Sequence, residues 1–202
     1  MARIVFFIDG FNLYHSLASK PEYHKYKWIN LARLCQNLTK KSDTIENIYY
    51  FTALAEWDQQ KVSKHKRLIR ALELEKVKVV YGKFKMRDKR CFKCKETYKI
   101  PEEKQTDVNI AITLLTEAMK DTYDTAIIIS GDSDLIPSIK AVKATFPGKT
   151  IGVAIPIGRN AQELINNTDF HIRIKEMHLK TSLFPYEIEV DGSKIICPME
   201  WR

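Results

Sequence analysis

Three groups of acids in this 202-residue chain stand where carboxylates can work together. The apolar run Val5-Phe6-Phe7-Ile8 ends in Asp9-Gly10-Phe11-Asn12, and the run Ala126-Ile127-Ile128-Ile129 ends in Ser130-Gly131-Asp132-Ser133-Asp134. A third group, Glu103 and Asp107, flanks the start of a helical pattern. Each has an ordinary structural reading. Strand-end Asp-Gly is a common turn, and Asp107, Asp132 and Asp134 suit N-caps and first turns, where acids stabilise the positive end of the helix dipole. Their coincidence points further, because ligands of an open parallel sheet gather outside the carboxyl ends of its strands, where strand order reverses. If the two runs are neighbouring strands, Asp9, Asp132 and Asp134 converge on one volume. Carboxylates crowded in this way repel unless protons or a divalent cation neutralise them. Oxygen donors with few His or Cys beside them suit Mg²⁺ or Mn²⁺ rather than Zn²⁺.

The elements that must position these acids alternate. Residues 3–8, 47–54, 76–81, 125–130, 149–155 and 170–174 read as strands, and 11–17, 30–38 (with Asn30 as N-cap), 59–74, 106–120, 134–144 and 161–166 as helices. In the 106–120 helix the stripe Val108, Ile112, Leu115 and Met119 is the expected buried face. This alternation predicts an α/β fold with right-handed crossovers and a mostly parallel central sheet flanked by helices, and the unbroken apolar runs fit strands covered on both faces. Two regions break the pattern. Residues 85–101 read as a basic hairpin inserted in a domain spanning 1–175, and 176–202 as a short C-terminal tail with a small hairpin at Asp191-Gly192. The tail aromatics Phe184, Tyr186 and Trp201 suit either a homodimer contact or packing on the domain.

Charge supplies the second functional signal. Lys and Arg number 33 against 25 acids, for a net +8. Residues 60–104 hold 16 basic and 6 acidic side chains, a balance of +10, so the rest of the chain is slightly acidic. Within that block Lys83, Lys85, Arg87, Lys89, Arg90, Lys93, Lys95 and Lys99 interleave with Tyr81, Phe84, Phe92 and Tyr98. Focused positive charge attracts polyanions, and aromatic faces stack on bases, so nucleic acid is the expected partner. No apolar run approaches the roughly 18 residues of a membrane span, and the N-terminal residues lack a signal-peptide layout; a cytoplasmic protein with no membrane partner and reduced thiols is expected. Cys91-Phe92-Lys93-Cys94 is half of a zinc knuckle, but zinc usually takes four ligands. Cys35 and Cys197 are distant in sequence, as are His24, His65, His171 and His178. Free thiols at a hairpin tip are therefore expected rather than a zinc site.

FIDGFNLY at 7–14, EEKQTDVNIA at 102–111 and SGDSDLIP at 130–137 resemble, in order and separation, the motifs of NYN-domain proteins of the PIN-like nuclease superfamily. The similarity runs over about residues 3–175, and the tail ending Cys197-Pro198-Met199-Glu200-Trp201 is similar to the LabA-like branch. The resemblance implies a PIN-like fold and an endoribonuclease that hydrolyses RNA phosphodiesters with a carboxylate-bound Mg²⁺ or Mn²⁺. It places metal-binding acids at Asp9, Asp107, Asp132 and Asp134, a polar partner at Asn12, and the Glu-Lys pair before the helix at Glu103 and Lys104. In that scheme Asp9, Asp132 and Asp134 are the main ligands and Asp107 completes the site or orients the attacking water. Asn12, Ser133 and Glu103 support the ligands, and Lys104 contacts the scissile phosphate. Lys83, Lys85, Arg87, Lys89, Arg90, Lys93, Lys95 and Lys104 make the RNA surface, with DNA also compatible. One position departs from the branch, which often has Gly after that Lys where this chain has Gln105.

Two other readings compete. A haloacid-dehalogenase-type phosphatase needs a second Asp two residues after the first-strand nucleophile, and Phe11 stands there. Nucleotide folds with GxGxxG or GxxxxGK[ST] loops find no match. The alternative with more weight is a non-catalytic RNA-binding or regulatory module on the same fold, because retained carboxylates do not prove turnover.

Overall fold

The computed structural model describes residues 1–202. Its centre is β1 (Arg3–Asp9), where Ile4, Phe6 and Ile8 enter one core and Val5 and Phe7 the other. That alternation explains a strand with no polar face: helices cover both sides of it. α1 (Gly10–Ala18) follows without a loop, then a 3₁₀ segment (Pro21–Lys27) and α2 (Leu31–Asn37). Asn30 caps α2 as expected, its Oδ1 accepting the Arg33 N–H at 2.9 Å. Next come β2 (Thr44–Thr52), α3 (Gln59–Leu74) and β3 (Lys78–Tyr81). A hairpin of β4 (Lys83–Arg90) and β5 (Thr97–Lys104) leads into α4 (Thr106–Met119). β6 (Thr125–Ile129), α5 (Ile136–Thr145), β7 (Thr150–Ile155), α6 (Gln162–Asn166) and β8 (Phe170–Arg173) complete the alternation.

Six strands pair in parallel in the order β3-β2-β1-β6-β7-β8. The order reverses between β1 and β6, which pair in register from Ile4↔Thr125 to Ile8↔Ile129. The two acid-bearing strands are thus neighbours at the point where chain direction in the sheet switches. The core lies in two slabs. One packs Trp28, Leu34 and Leu72 on the sheet, and the other Ile110, Leu114 and Ile139.

One expected face is wrong. In α4 the buried row is Thr106, Ile110, Leu114 and Ala118, while Val108, Ile112 and Met119 are 57%, 59% and 68% exposed. Both rows have helical spacing, so periodicity alone does not choose between them. The buried row faces the sheet through Ile110 and Leu114, which join the core slab with Ile139.

The tail comprises α7 (Glu176–Lys180) and a hairpin of β9 (Glu187–Val190) and β10 (Ser193–Ile196), turning through Asp191 and Gly192 at φ 45° and 76°. Two of its aromatics pack within the chain, Phe184 and Trp201 lying 5.7 and 6.5 Å from Trp28, whose indole N–H donates to the Pro185 carbonyl at 2.8 Å. Tyr186 is exposed. No helix is long and apolar enough to cross a membrane.

Candidate active site

β1 delivers Asp9 to the carboxyl edge of the sheet, and α1 starts at the next residue. A Cβ on Gly10 would lie 2.6 Å from the Phe51 carbonyl and 2.7 Å from the Tyr50 ring, so only glycine permits this tight passage beside β2. Asp9 is 4% exposed. Its Oδ1 accepts the Asn12 N–H at 2.9 Å, capping α1, and its Oδ2 accepts the Ser130 hydroxyl, also at 2.9 Å. Ser130 in turn accepts the Asp132 N–H at 3.1 Å, so one buried hydroxyl ties the two strand ends together. Asn12 Oδ1 accepts the Gly131 N–H at 3.0 Å, a second tie between them. Asp132 Oδ1 accepts the Asp134 N–H at 3.0 Å and caps the 3₁₀ turn Ser133–Leu135. Sequence reasoning assigned the supporting hydroxyl to Ser133, which sits in that turn; the hydroxyl that joins the aspartates belongs to Ser130. A polar residue closing a fully apolar strand was the signal for it.

Asp107 approaches from α4. Its carboxyl is pushed up to about 6, first by burial and then by the charges of Asp9, Asp132, Glu103 and Asp134. Burial likewise raises Asp9, opposed by its hydrogen bonds from Asn12 and Ser130 and reinforced by Asp132. No lysine or arginine figures among the influences on either carboxyl. The five acids therefore share one electrostatic neighbourhood. Glu103 has a structural task there, because its Oε1 accepts the Thr106 N–H at 3.0 Å and the Thr106 hydroxyl, fixing the first turn of α4. Gln105 precedes that helix at φ 82°, the left-handed conformation that glycine takes freely. The Lys104 ammonium pairs with Glu102 at 3.0 Å.

Whether a divalent cation suits these residues is a question of donors and distance. The donors fit, being carboxylates left without a positive partner in a partly desolvated pocket. The distances stand wider, since no three His, Cys, Asp or Glu side chains gather within reach of one ion in this conformation. Arg159, which sequence reasoning missed, stands at the rim. It lies in the loop after β7, and its Cβ is 3.7 Å from where a Cβ on Gly131 would sit. The signal was available in topology, because that loop leaves the same sheet edge.

The basic hairpin spans Lys83 to Lys104, longer than the 85–101 expected, and is exposed along nearly its whole length. Strand alternation puts Lys83, Lys85, Arg87 and Lys89 on one face. Their cross-strand partners include Lys104 and Glu102, and Glu102 pairs with both Arg87 and Lys104. Lys93 and Lys95 lie in the tip between the strands, where the Lys95 ammonium sits 4.6 Å from the Phe92 ring centre, and Arg90 donates to the Lys95 carbonyl. At that tip the Cys91 N–H donates to the Glu96 carbonyl at 2.8 Å and the Lys95 N–H to the Cys91 carbonyl at 3.0 Å. N–H and S–H groups of Cys94, together with the Lys93 N–H, hold the Cys91 thiol below its usual range. No third ligand joins this pair, and Cys35 and Cys197 are buried in the core.

The NYN domain family profile matches residues 3–175. Among curated proteins the chain is 26% identical to 6-hydroxy-3-succinoylpyridine 3-monooxygenase HspA of Pseudomonas putida, over 88% of this chain and 65% of that protein. The chain thus spans slightly under two thirds of that relative. Among solved structures, a protein of unknown function from Vibrio parahaemolyticus superposes with a TM-score of 0.59 at 17% identity, covering 91% of this chain and 96% of that one. That likeness concerns the fold.

Proposed function

The chain belongs to the NYN domain family of the PIN-like nuclease superfamily, and from that premise we propose that it is a metal-dependent endoribonuclease hydrolysing RNA phosphodiester bonds at the carboxyl ends of β1 and β6. The observation that carries this reading is the convergence of Asp9, Asp107, Asp132 and Asp134 at the point where strand order reverses. These four would hold Mg²⁺ or Mn²⁺. When bound, such an ion supplies an activated water and offsets the charge that builds on the phosphoryl oxygens.

The chain's own residues do the rest. Ser130 and Asn12 lock the spacing between Asp9 and Asp132, so the donors are set before substrate arrives. Asp107 makes no side-chain hydrogen bond and its carboxyl is raised to about 6, which suits it to orient the attacking water. Arg159 at the rim, and Lys104 if it leaves Glu102, are the cations that reach a phosphate. The hairpin lysines bring the polyanion to the cleft.

A second reading, an RNA-binding or regulatory module without turnover, draws support from the wide spacing of the acids. Cleavage of labelled single-stranded and hairpin RNA with Mg²⁺, Mn²⁺ or EDTA separates the two, with wild type and Asp132→Asn purified in parallel. The nuclease reading expects cleavage that requires metal and is lost in the variant. Salt-sensitive RNA binding by both proteins with no cutting by either would overturn it in favour of the second.

A further inference from the structure

A cleft of about 480 Å³ opens where β2 and β3 leave the sheet, its wall formed by Leu54, Trp57, Tyr81, Phe84 and Met86 and its charged groups by Lys83 and Glu56. Its volume falls within the range of small-ligand sites. Trp57 and Tyr81 are 47% and 49% exposed, so two large rings stay uncovered in a chain whose other tryptophans pack on each other. Trp57 meets Phe84 edge-to-face at 4.6 Å, and Phe84 meets Phe11 in the same manner at 5.3 Å. Phe11 lies in the first turn of α1, between Asp9 and Asn12. The aromatic wall therefore runs without a break from the cleft to the strand-end acids.

We propose that this cleft is a nucleobase subsite, in which one base splayed out of a single-stranded nucleic acid stacks on Trp57 while its backbone crosses toward the acids. The assignment rests on the RNA-cleaving reading for its orientation, but on its own residues for the occupant. Flat aromatic walls select a flat ring, and Trp and Tyr faces stack on any base. Charge selects what the ring is attached to. Lys83, at the cleft, makes no ion pair, and Lys85 and Lys89 continue the same unpaired row along β4, matching a polyanion that leaves the pocket along the hairpin. A base stacked inside a duplex offers no free face, so the substrate class is single-stranded.

The test is binding in EDTA, read by anisotropy of three labelled probes: a mixed-sequence single strand, an abasic backbone of equal length, and the single strand paired to its complement. The expected result is that wild type binds the base-bearing strand about tenfold or more tighter than the abasic one, the span of one stacked base. Trp57→Ala should erase that preference while leaving abasic binding unchanged, and Trp57→Phe should restore most of it. Trp57 is half exposed, so neither change threatens the fold. Equal binding of strand and abasic backbone, duplex binding as tight as the single strand, or a Trp57→Ala loss equal for both backbones would overturn the proposal. A base preference without metal-dependent cleavage would retire the nuclease reading and leave the subsite standing; absence of any nucleic-acid binding would remove both.

Discussion

His65 gives the protein a defined acid sensitivity. α3 sets its ring against β2, with Nε2 3.2 Å from the Thr52 hydroxyl and 3.4 Å from the Tyr50 hydroxyl, and the Tyr50 ring edge-on at 6.3 Å. Burial pushes the imidazole down from its ordinary 6.5 to about 4. The folded chain therefore refuses a proton that the unfolded chain accepts between those values. Stability is unaffected by this group above the unfolded value, falls as pH drops through the window, and levels off below about 4. The gap converts to roughly 3 kcal/mol at its limit, of which about 2–3 kcal/mol is expressed near pH 4.5. For a domain of this size that is a melting-point difference of about 5–10 °C. Other groups titrate over the same range, so the comparison that isolates His65 is with His65→Gln, whose amide does not titrate. Urea unfolding of both chains near pH 7.5 and near pH 4.5 should show wild type losing about 2–3 kcal/mol more than the variant. Parallel losses, or a His65 ring titrating near its ordinary value by NMR, would refute the reasoning.

Two further changes test how the site is held. Ser130→Ala removes the buried hydroxyl that donates to Asp9 and accepts from Asp132, and should destabilise by about 1.5–3 kcal/mol in urea unfolding, the range for hydrogen bonds to charged groups. Ser133→Ala should fall within about 0.5 kcal/mol of wild type, and equal effects of the two would sink the assignment of Ser130 as the tie. Gln105→Gly should stabilise by about 0.5–1 kcal/mol, since relief of the left-handed backbone at φ 82° exceeds the entropy glycine adds to the unfolded chain. Gln105→Ala, which keeps a Cβ, should show no such gain, and a glycine variant less stable than wild type would contradict the strain.

The sheet was readable because strands buried on both faces have no polar alternation to confuse with helix. Val5-Phe6-Phe7-Ile8 and Ala126-Ile127-Ile128-Ile129 carry that signature, and both form central neighbours. α4 shows where the same logic fails: two rows at helical spacing satisfy the period, and the one through Ile110 and Leu114 is the one buried. At the site, the strand-end acids were visible as motifs, whereas Ser130 and Arg159 act through contacts across the sheet edge, on the β6 end and the loop after β7, that spacing along the chain does not encode. The role expected of Lys104 met an ion pair with Glu102, a neighbour set by cross-strand geometry. Gln105 was marked as a departure from the family pattern, and its positive φ gives that departure a physical meaning.

The capping and catalytic readings of the same aspartates are not rivals. Asp9 spends one carboxylate oxygen on the α1 N-terminus and the other on Ser130, and Asp132 spends one on the turn that follows. A carboxylate oxygen has capacity for more than one partner, so each bond fixes direction and leaves room for a ligand. Those bonds also answer the repulsion among the acids. Backbone N–H donors and a hydroxyl lower Asp9 toward ionisation where burial and Asp132 raise it. Asp107, without such donors, also rises, to about 6. Hydrogen bonds thus offset part of the burial of Asp9, whereas Asp107, on α4, the one contributor that does not come from the paired strand ends, has none. Ser130 and Asn12 tie the two strand ends together, so α4, which brings Asp107, is the element expected to move when a divalent cation closes the spacing.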